Sequence, residues 1–246
     1  MKIPVYHDDL PWITALQMRE VDRIMTEEIG VDLLQMMELA GWNLSRLVLI
    51  RFLGNAVSGK KVAVMAGRGG NGGGAMAGAR ILSNHGVKVE IFLSSPPEKS
   101  SKWVRKQHNI LKNMDIKVVV FDGENFPKKV DLIIDGLIGY SLTGKPAGTV
   151  REMIEWANGS DALILSLDMP TGVNPDTGES EGAHINAHGT LTLALPKVGL
   201  KPPSGRKCSG ELYLADIGIP PSLYEKPSLG FPVPNIFNES PIVRIY

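Results

Sequence analysis

Beyond residue 60 the chain alternates between short runs of apolar and β-branched residues and segments in which apolar positions return every three or four residues. The runs are KKVAVMA (60–66), VKVEIFL (87–93), IKVVVF (116–121), VDLIIDGLIG (130–139) and ALILSLD (162–168). Helical segments are predicted between them at 75–85, 100–112 and 148–158. The runs are continuous rather than alternating, so both faces of each strand are buried. Interleaved with helices, they predict a parallel sheet covered on both sides. GTLTLAL (189–195) and GELYLADIG (210–218) read as later strands joined by Gly/Pro-rich loops. Ahead of the alternation, Leu16, Val21, Ile24 and Met25, and then Leu33, Leu34, Met37 and Leu44, recur at helical spacing with Gly30 between the two sets. The expectation is one α/β domain: N-terminal helices over 14–52, a doubly wound core over 60–219, and an irregular, proline-rich tail over 220–246.

Composition narrows the function classes. The chain has 246 residues, 43% hydrophobic, with 26 Lys+Arg against 26 Asp+Glu. No net field draws it to nucleic acid or to an anionic membrane, so neither is expected as a partner. The single cysteine, Cys208, cannot form an internal disulfide or share a structural zinc, which points to a reducing, cytoplasmic setting. No stretch has the roughly 18 uncharged apolar residues of a membrane span, and MKIPVYHDDL lacks the apolar block of a secretion signal.

Three strand ends carry candidate chemistry. AGRGGNGGG (66–74) holds six glycines in nine positions between a strand and a helix. Bare backbone N–H groups at a helix start suit a phosphate or pyrophosphate. The second strand ends in serines, not in the acid that would hold a ribose, so ordinary nicotinamide-dehydrogenase chemistry loses support. Asp135 ends the strand of DLIIDGLIG, and Asp168 ends that of LILSLD just before Pro170, Thr171 and Gly172. Apolar surroundings disfavour an ionised carboxylate and suit Asp168 to proton transfer. Asn71, Asp135 and Thr171 together offer hard oxygens of low charge, suited to a large monovalent cation or to hydrated magnesium and poor for zinc.

The order of these motifs resembles the YjeF N-terminal domain family, whose enzymatic members are NAD(P)H-hydrate epimerases. MMELAGWNLSRLV (36–48), AGRGGNGGGAMAGARIL (66–82), DGLIGYSLTG (135–144) and LSLDMPTGVNPDTG (165–178) are similar to four family motifs in sequence and order, and LTLALPKVGL (191–200) to a fifth. The resemblance implies a Rossmann-like three-layer αβα sandwich with a mostly parallel sheet, a homodimer, a bound K+ ion, and hydrated NADH or NADPH as substrate. Carried over by position, the potassium ligands fall on Asn71, Asp135 and Thr171. Substrate contacts fall on Gly70, Asn71, Gly72, Gly73 and Gly74, on Gly139, Tyr140, Ser141, Leu142, Thr143, Gly144 and Lys145, and on Asp168, which matches the aspartate beside the reacting ring. Gly74 stands where the family has an aspartate, which removes one carboxylate from the pocket. A binding module of the same fold without turnover is the alternative. A hydrate dehydratase would be a separate partner.

Overall fold

The computed structural model describes residues 2–54 and 57–246. α1 (Ala15–Arg23) starts at Thr14, whose hydroxyl accepts from the Gln17 N–H while the Gln17 side chain returns to the Thr14 backbone. Asp32 and Gln35 make the same reciprocal cap for α2 (Leu33–Leu47). Each helix continues as a wider turn, to Ile29 and to Phe52 respectively, and Gly30, at φ 87°, supplies the left-handed residue that separates them.

The sheet has eight strands: β1 (Lys61–Ala66), β2 (Lys88–Leu93), β3 (Val118–Val120), β4 (Leu132–Gly136), β5 (Leu163–Leu167), β6 (Gly189–Leu193), β7 (Glu211–Ala215) and β8 (Ile242–Arg244). Their order is β3-β2-β1-β4-β5-β6-β7-β8, parallel throughout except for β8. α3 (Gly70–Asn84), α4 (Lys102–Asn113) and α5 (Gly148–Asn158) connect the early strands. Side-chain alternation divides the core: Val62, Val64, Ile134 and Leu165 pack with Leu44, Met76 and Val104 of α2, α3 and α4. Ala63, Met65, Ile133 and Ile164 pack with Met153, Ile154 and Ala157 of α5 on the other face. This is the expected three-layer sandwich.

Two expectations change. The third helix begins at Gly70, five residues earlier than predicted, so most of the glycine run is helical. Much of that run serves packing: a Cβ on Gly73 would lie 2.8 Å from the Met37 sulfur, and one on Gly41 of α2 would lie 2.6 Å from the Gly78 nitrogen. The tail is not wholly irregular, because α7 (Pro221–Tyr224) and β8 lie in it. β8 pairs with β7 and covers what would be an open sheet edge. A further short helix, α6 (Pro203–Ser209), precedes β7. The methionines of the N-terminal helices, Met18, Met25, Met36 and Met37, are buried within the chain, and Leu16, Leu39 and Trp42 are the exposed large apolar side chains of α1 and α2. Among the described residues no helix is long and apolar enough to cross a membrane.

Candidate active site

From β1 the chain builds outward through β2 and β3 on one side, then returns to β4 on the other. The connections after these adjacent strands diverge, which opens a crevice at their carboxyl ends. Its lips are residues 67–69 with the start of α3, and residues 137–147. They meet closely at the base, since a Cβ on Gly67 would lie 1.7 Å from the Leu137 carbonyl oxygen. Only glycine allows that approach.

Gly69 caps α3 with backbone alone, and no side chain takes the free N–H groups of the first turn. A cavity of about 480 Å³ lies over this helix end, lined by Arg68, Asn71, Ser94, Lys99, Leu142, Thr143 and Lys145 among others. Open N–H groups, helix potential and three cationic side chains together suit a phosphate-bearing ligand. A second cavity of about 290 Å³ shares Gly70, Asn71, Gly139 and Ser141 with the first. It runs inward between apolar walls that include Met18, Met36, Met37 and Leu193, and it contains Asp22, Tyr140 and Asp168.

Asp168 follows β5 with φ at 66°, a left-handed conformation that aspartate tolerates better than most residues. Such a conformation costs on the order of 1–3 kcal/mol and persists only where surroundings enforce it. Its N–H donates to the Leu191 carbonyl at 2.7 Å, which fixes the turn against β6. Oδ2 accepts the Tyr140 backbone N–H at 2.8 Å, and Oδ1 accepts Lys197 Nζ at 2.5 Å. Lys197 is fully buried and also donates to the Leu193 carbonyl at 2.8 Å. The predicted apolar setting of Asp168 is therefore corrected: a buried ammonium sits against it. Gly139 makes room for this centre, since a Cβ there would lie 2.6 Å from Asp168 Oδ2 and 3.3 Å from Asn71 Oδ1.

Asp135, at the end of β4, is wholly buried. It accepts from Thr171 Oγ1 at 2.7 Å, the Thr171 N–H at 2.9 Å, Ser166 Oγ at 2.8 Å and the Leu137 N–H at 3.2 Å. Burial pushes its carboxyl above the ordinary range, and the four donors pull in the opposite direction. Among the described residues no cationic side chain pairs with it. The third cation-ligand candidate, Asn71, stands against Gly139, and its amide nitrogen is buried without a hydrogen-bond partner. The orphaned Asn71 group is an N–H donor, which cannot ligate a cation, so the only atoms of this set with the chemistry for a weakly hydrated cation are the oxygens of Asp135, Thr171 and the Asn71 amide.

The predicted residues divide between these places. Gly70, Asn71, Gly74, Gly139, Tyr140, Ser141 and Asp168 line the inner cavity, while Leu142, Thr143 and Lys145 line the outer one. Gly72 and Gly73 are packing positions, against Gly67 and Met37, and Gly144 is a turn residue with φ at 67°. Sequence reasoning missed Lys197 and Asp22. Lys197 carried a signal, a lone cation in the otherwise apolar stretch LTLALPKVGL; Asp22 carried another, an acid four residues after Met18 and three before Met25 on the buried face of α1.

Fold and crevice together define a doubly wound α/β domain with two adjoining cavities at the carboxyl ends of its strands and a buried Asp168–Lys197 ion pair beside the inner one. Residues 33–199 match the family described as YjeF-related protein N-terminus, and the chain belongs to that family. It is 42% identical to an NAD(P)H-hydrate epimerase of Dehalogenimonas lykanthroporepellens, covering 88% of this chain and 86% of that one. A bifunctional NAD(P)H-hydrate repair enzyme of Moorella thermoacetica is 32% identical over 86% of this chain, which spans 41% of that longer protein. The crystal structure of yeast ynu0 superposes with a TM-score of 0.80 at 26% identity, covering 96% of this chain and all of that one.

Proposed function

We propose that this chain is an isomerase that interconverts the R and S forms of hydrated NADH and NADPH. The observation that carries the reading is Asp168, which lines the inner cavity and is paired with the buried Lys197 behind it, next to a cationic crevice at the start of α3. The crevice takes the pyrophosphate on the N–H groups of Gly70 to Gly72, with Arg68, Lys99 and Lys145 around it. The hydrated nicotinamide ring enters the apolar inner cavity and comes to rest against Asp168.

Epimerisation there needs one bond broken and remade. The ring nitrogen expels the C6 hydroxyl as water once that oxygen receives a proton, leaving a planar iminium, and water adds again at C6 and loses a proton. Asp168 passes the proton to the leaving oxygen, and the Lys197 ammonium in contact with it is the proton's source. Positioned acid–base groups of this kind contribute roughly 10²–10⁴ in rate. Asn71, Asp135 and Thr171 would hold a potassium ion, which would supply fixed positive charge to this edge of the sheet. Leu16, Leu39 and Trp42 on α1 and α2 support a homodimer through these helices. The neutral charge balance and lone cysteine support a cytoplasmic setting, and a hydrate dehydratase is the partner activity this reading implies. The deciding experiment incubates purified R-hydrate with the protein and follows the S form by chromatography. Conversion is expected, while tight binding without conversion would make the domain a nucleotide-binding module.

A further inference from the structure

The inner cavity holds a second pair of ionisable groups. Asp22, on α1, accepts the Tyr140 hydroxyl at 2.5 Å across 118 residues of sequence, and both side chains line the cavity that contains Asp168. The Tyr140 ring packs among apolar residues, so packing accounts for the ring but not for its hydroxyl. Asp22 projects from the stripe of α1 that otherwise buries Met18 and Val21, and apolar groups in place of both polar partners would fill the same space without a buried polar pair. The Tyr140 ring stands 5.9 Å from Lys197 Nζ, and the Tyr140 backbone N–H binds Asp168. One residue therefore bridges the two acid–base pairs.

We propose, building on the epimerase reading, that Tyr140 backed by Asp22 is a second acid–base group, serving the step that the Asp168–Lys197 pair does not. An epimerase must expel oxygen from one face of the ring and readmit it at the other, and a planar iminium fills the cavity between its walls. As Lys197 and Asp168 deliver a proton to the departing hydroxyl, a water forms and leaves. A second water then bonds to C6; its excess proton goes to the Tyr140 oxygen while the phenolic proton of Tyr140 moves to Asp22. The cavity ends with the same number of protons, now on Asp22 instead of Lys197; after product leaves, Asp22 gives its proton to water and Lys197 takes one from water, which restores the starting state, and the opposite epimer is processed by the reverse sequence. Tyr140 is the catalytic residue and Asp22 a positioning residue that receives the proton through it.

The surroundings of the pair suit an exchangeable proton. Burial, the largest influence, raises the Asp22 carboxyl above its ordinary range; the Tyr140 hydroxyl and the Lys197 ammonium oppose that rise, and the Asp168 carboxylate adds to it. Burial, followed by Asp22 and Asp168, holds the Tyr140 phenol well above its ordinary value, while Arg19 acts the other way. Tyr224 of α7 is the remaining titratable group felt across this space. A neutral tyrosine beside a carboxyl of raised affinity can relay a proton without ever holding an isolated phenolate.

The test compares wild type with Tyr140→Phe and Asp22→Asn in the chromatographic assay from pH 5 to 9, with circular dichroism showing that each variant is folded. Tyr140→Phe keeps the ring and is expected to lower kcat by roughly 10²–10⁴ with little change in KM, equally for R-to-S and S-to-R conversion. Asp22→Asn is expected to remove one limb of the pH profile of kcat, and the double variant to be no slower than the slower single one, because the two act as a unit. A folded Tyr140→Phe protein with wild-type kcat and pH profile overturns the proposal and leaves the epimerase reading standing. A wild-type protein that leaves both hydrates unchanged overturns both.

Discussion

Asp135 and Asp168 end neighbouring parallel strands, β4 and β5, and both are buried, yet they are handled in opposite ways. Asp168 has its counter-charge built in, with Lys197 Nζ at 2.5 Å and the inner cavity on its other side. Asp135 has four hydrogen-bond donors and no cationic side chain paired with it among the described residues. Hydrogen bonds alone offset a buried carboxylate's lost hydration only in part. The contrast separates two settings that share one sequence signature: a carboxylate paired with a buried ammonium beside the inner cavity, and one held by neutral donors.

The largest way to break the comparison is to remove the built-in counter-charge. Lys197→Met should abolish turnover and lower stability by about 3–5 kcal/mol in urea unfolding, because Asp168 is left buried and unpaired. Adding Asp168→Asn to that variant should recover much of the stability and none of the activity. Recovery of activity would show that the pair only supports the fold.

Next in size is the joint between the two loops. Gly139→Ala places a methyl 2.6 Å from Asp168 Oδ2, against a side chain already fixed by Lys197 and Tyr140. Something must shift, at a cost of about 1–3 kcal/mol. The expected readout is a lower melting temperature, together with a fall in kcat larger than any change in KM. Unchanged kinetics would mean that the 137–147 loop is not held against Asp168 during turnover.

Asp135 calls for titration with salt. If a bound cation supplies its counter-charge, potassium should raise the melting temperature of wild type more than sodium at equal ionic strength. Asp135→Asn should flatten that response. At ten times its dissociation constant a bound ion stabilises by about 1.4 kcal/mol, enough to resolve by thermal shift. An identical potassium response in both proteins would remove Asp135 from the site.

The smallest effect belongs to a third carboxylate, which sets the scale. Asp131 precedes β4, partly exposed, with Lys60 Nζ at 2.8 Å and the Lys61 N–H at 2.9 Å. Its hydrogen bond to Lys60 is the main cause of a carboxyl held below the ordinary value of 3.8. The folded form thus prefers the ionised group, so its stabilisation is present above the unfolded-state value and is lost as pH falls through the lowered one. Screened by solvent, the contribution should stay below about 1 kcal/mol. Asp131→Asn should remove that much of the acid-induced loss of stability and leave the neutral-pH activity untouched.

The extent of legibility follows the range of the interactions involved. The alternation of buried strands and amphipathic helices, the break at Gly30, and the carboxylates at strand ends were all readable, because each depends on residues a few positions apart or on the periodicity of one element. The start of α3 was misplaced because glycine discourages helix on its own, and only packing against Met37 and the sheet holds Gly70 to Gly74 helical. The glycine run looked like a ligand loop and proved to be half loop, half packing face.

Sequence alone therefore determined the layer architecture, the edge of the sheet where the crevice opens, and three oxygen-bearing strand ends at that edge. Tertiary structure decided what the groups at that edge meet: Lys197 for Asp168, Asp22 for the neighbouring Tyr140 and, among the described residues, neutral donors for Asp135. The physical reason is that the behaviour of a buried charge is governed by the nearest opposite charge and by the water removed around it, both set across the core. Pairs such as Asp168 with Lys197, 29 residues apart, and Tyr140 with Asp22, 118 apart, have no spacing rule that would announce them in a linear chain.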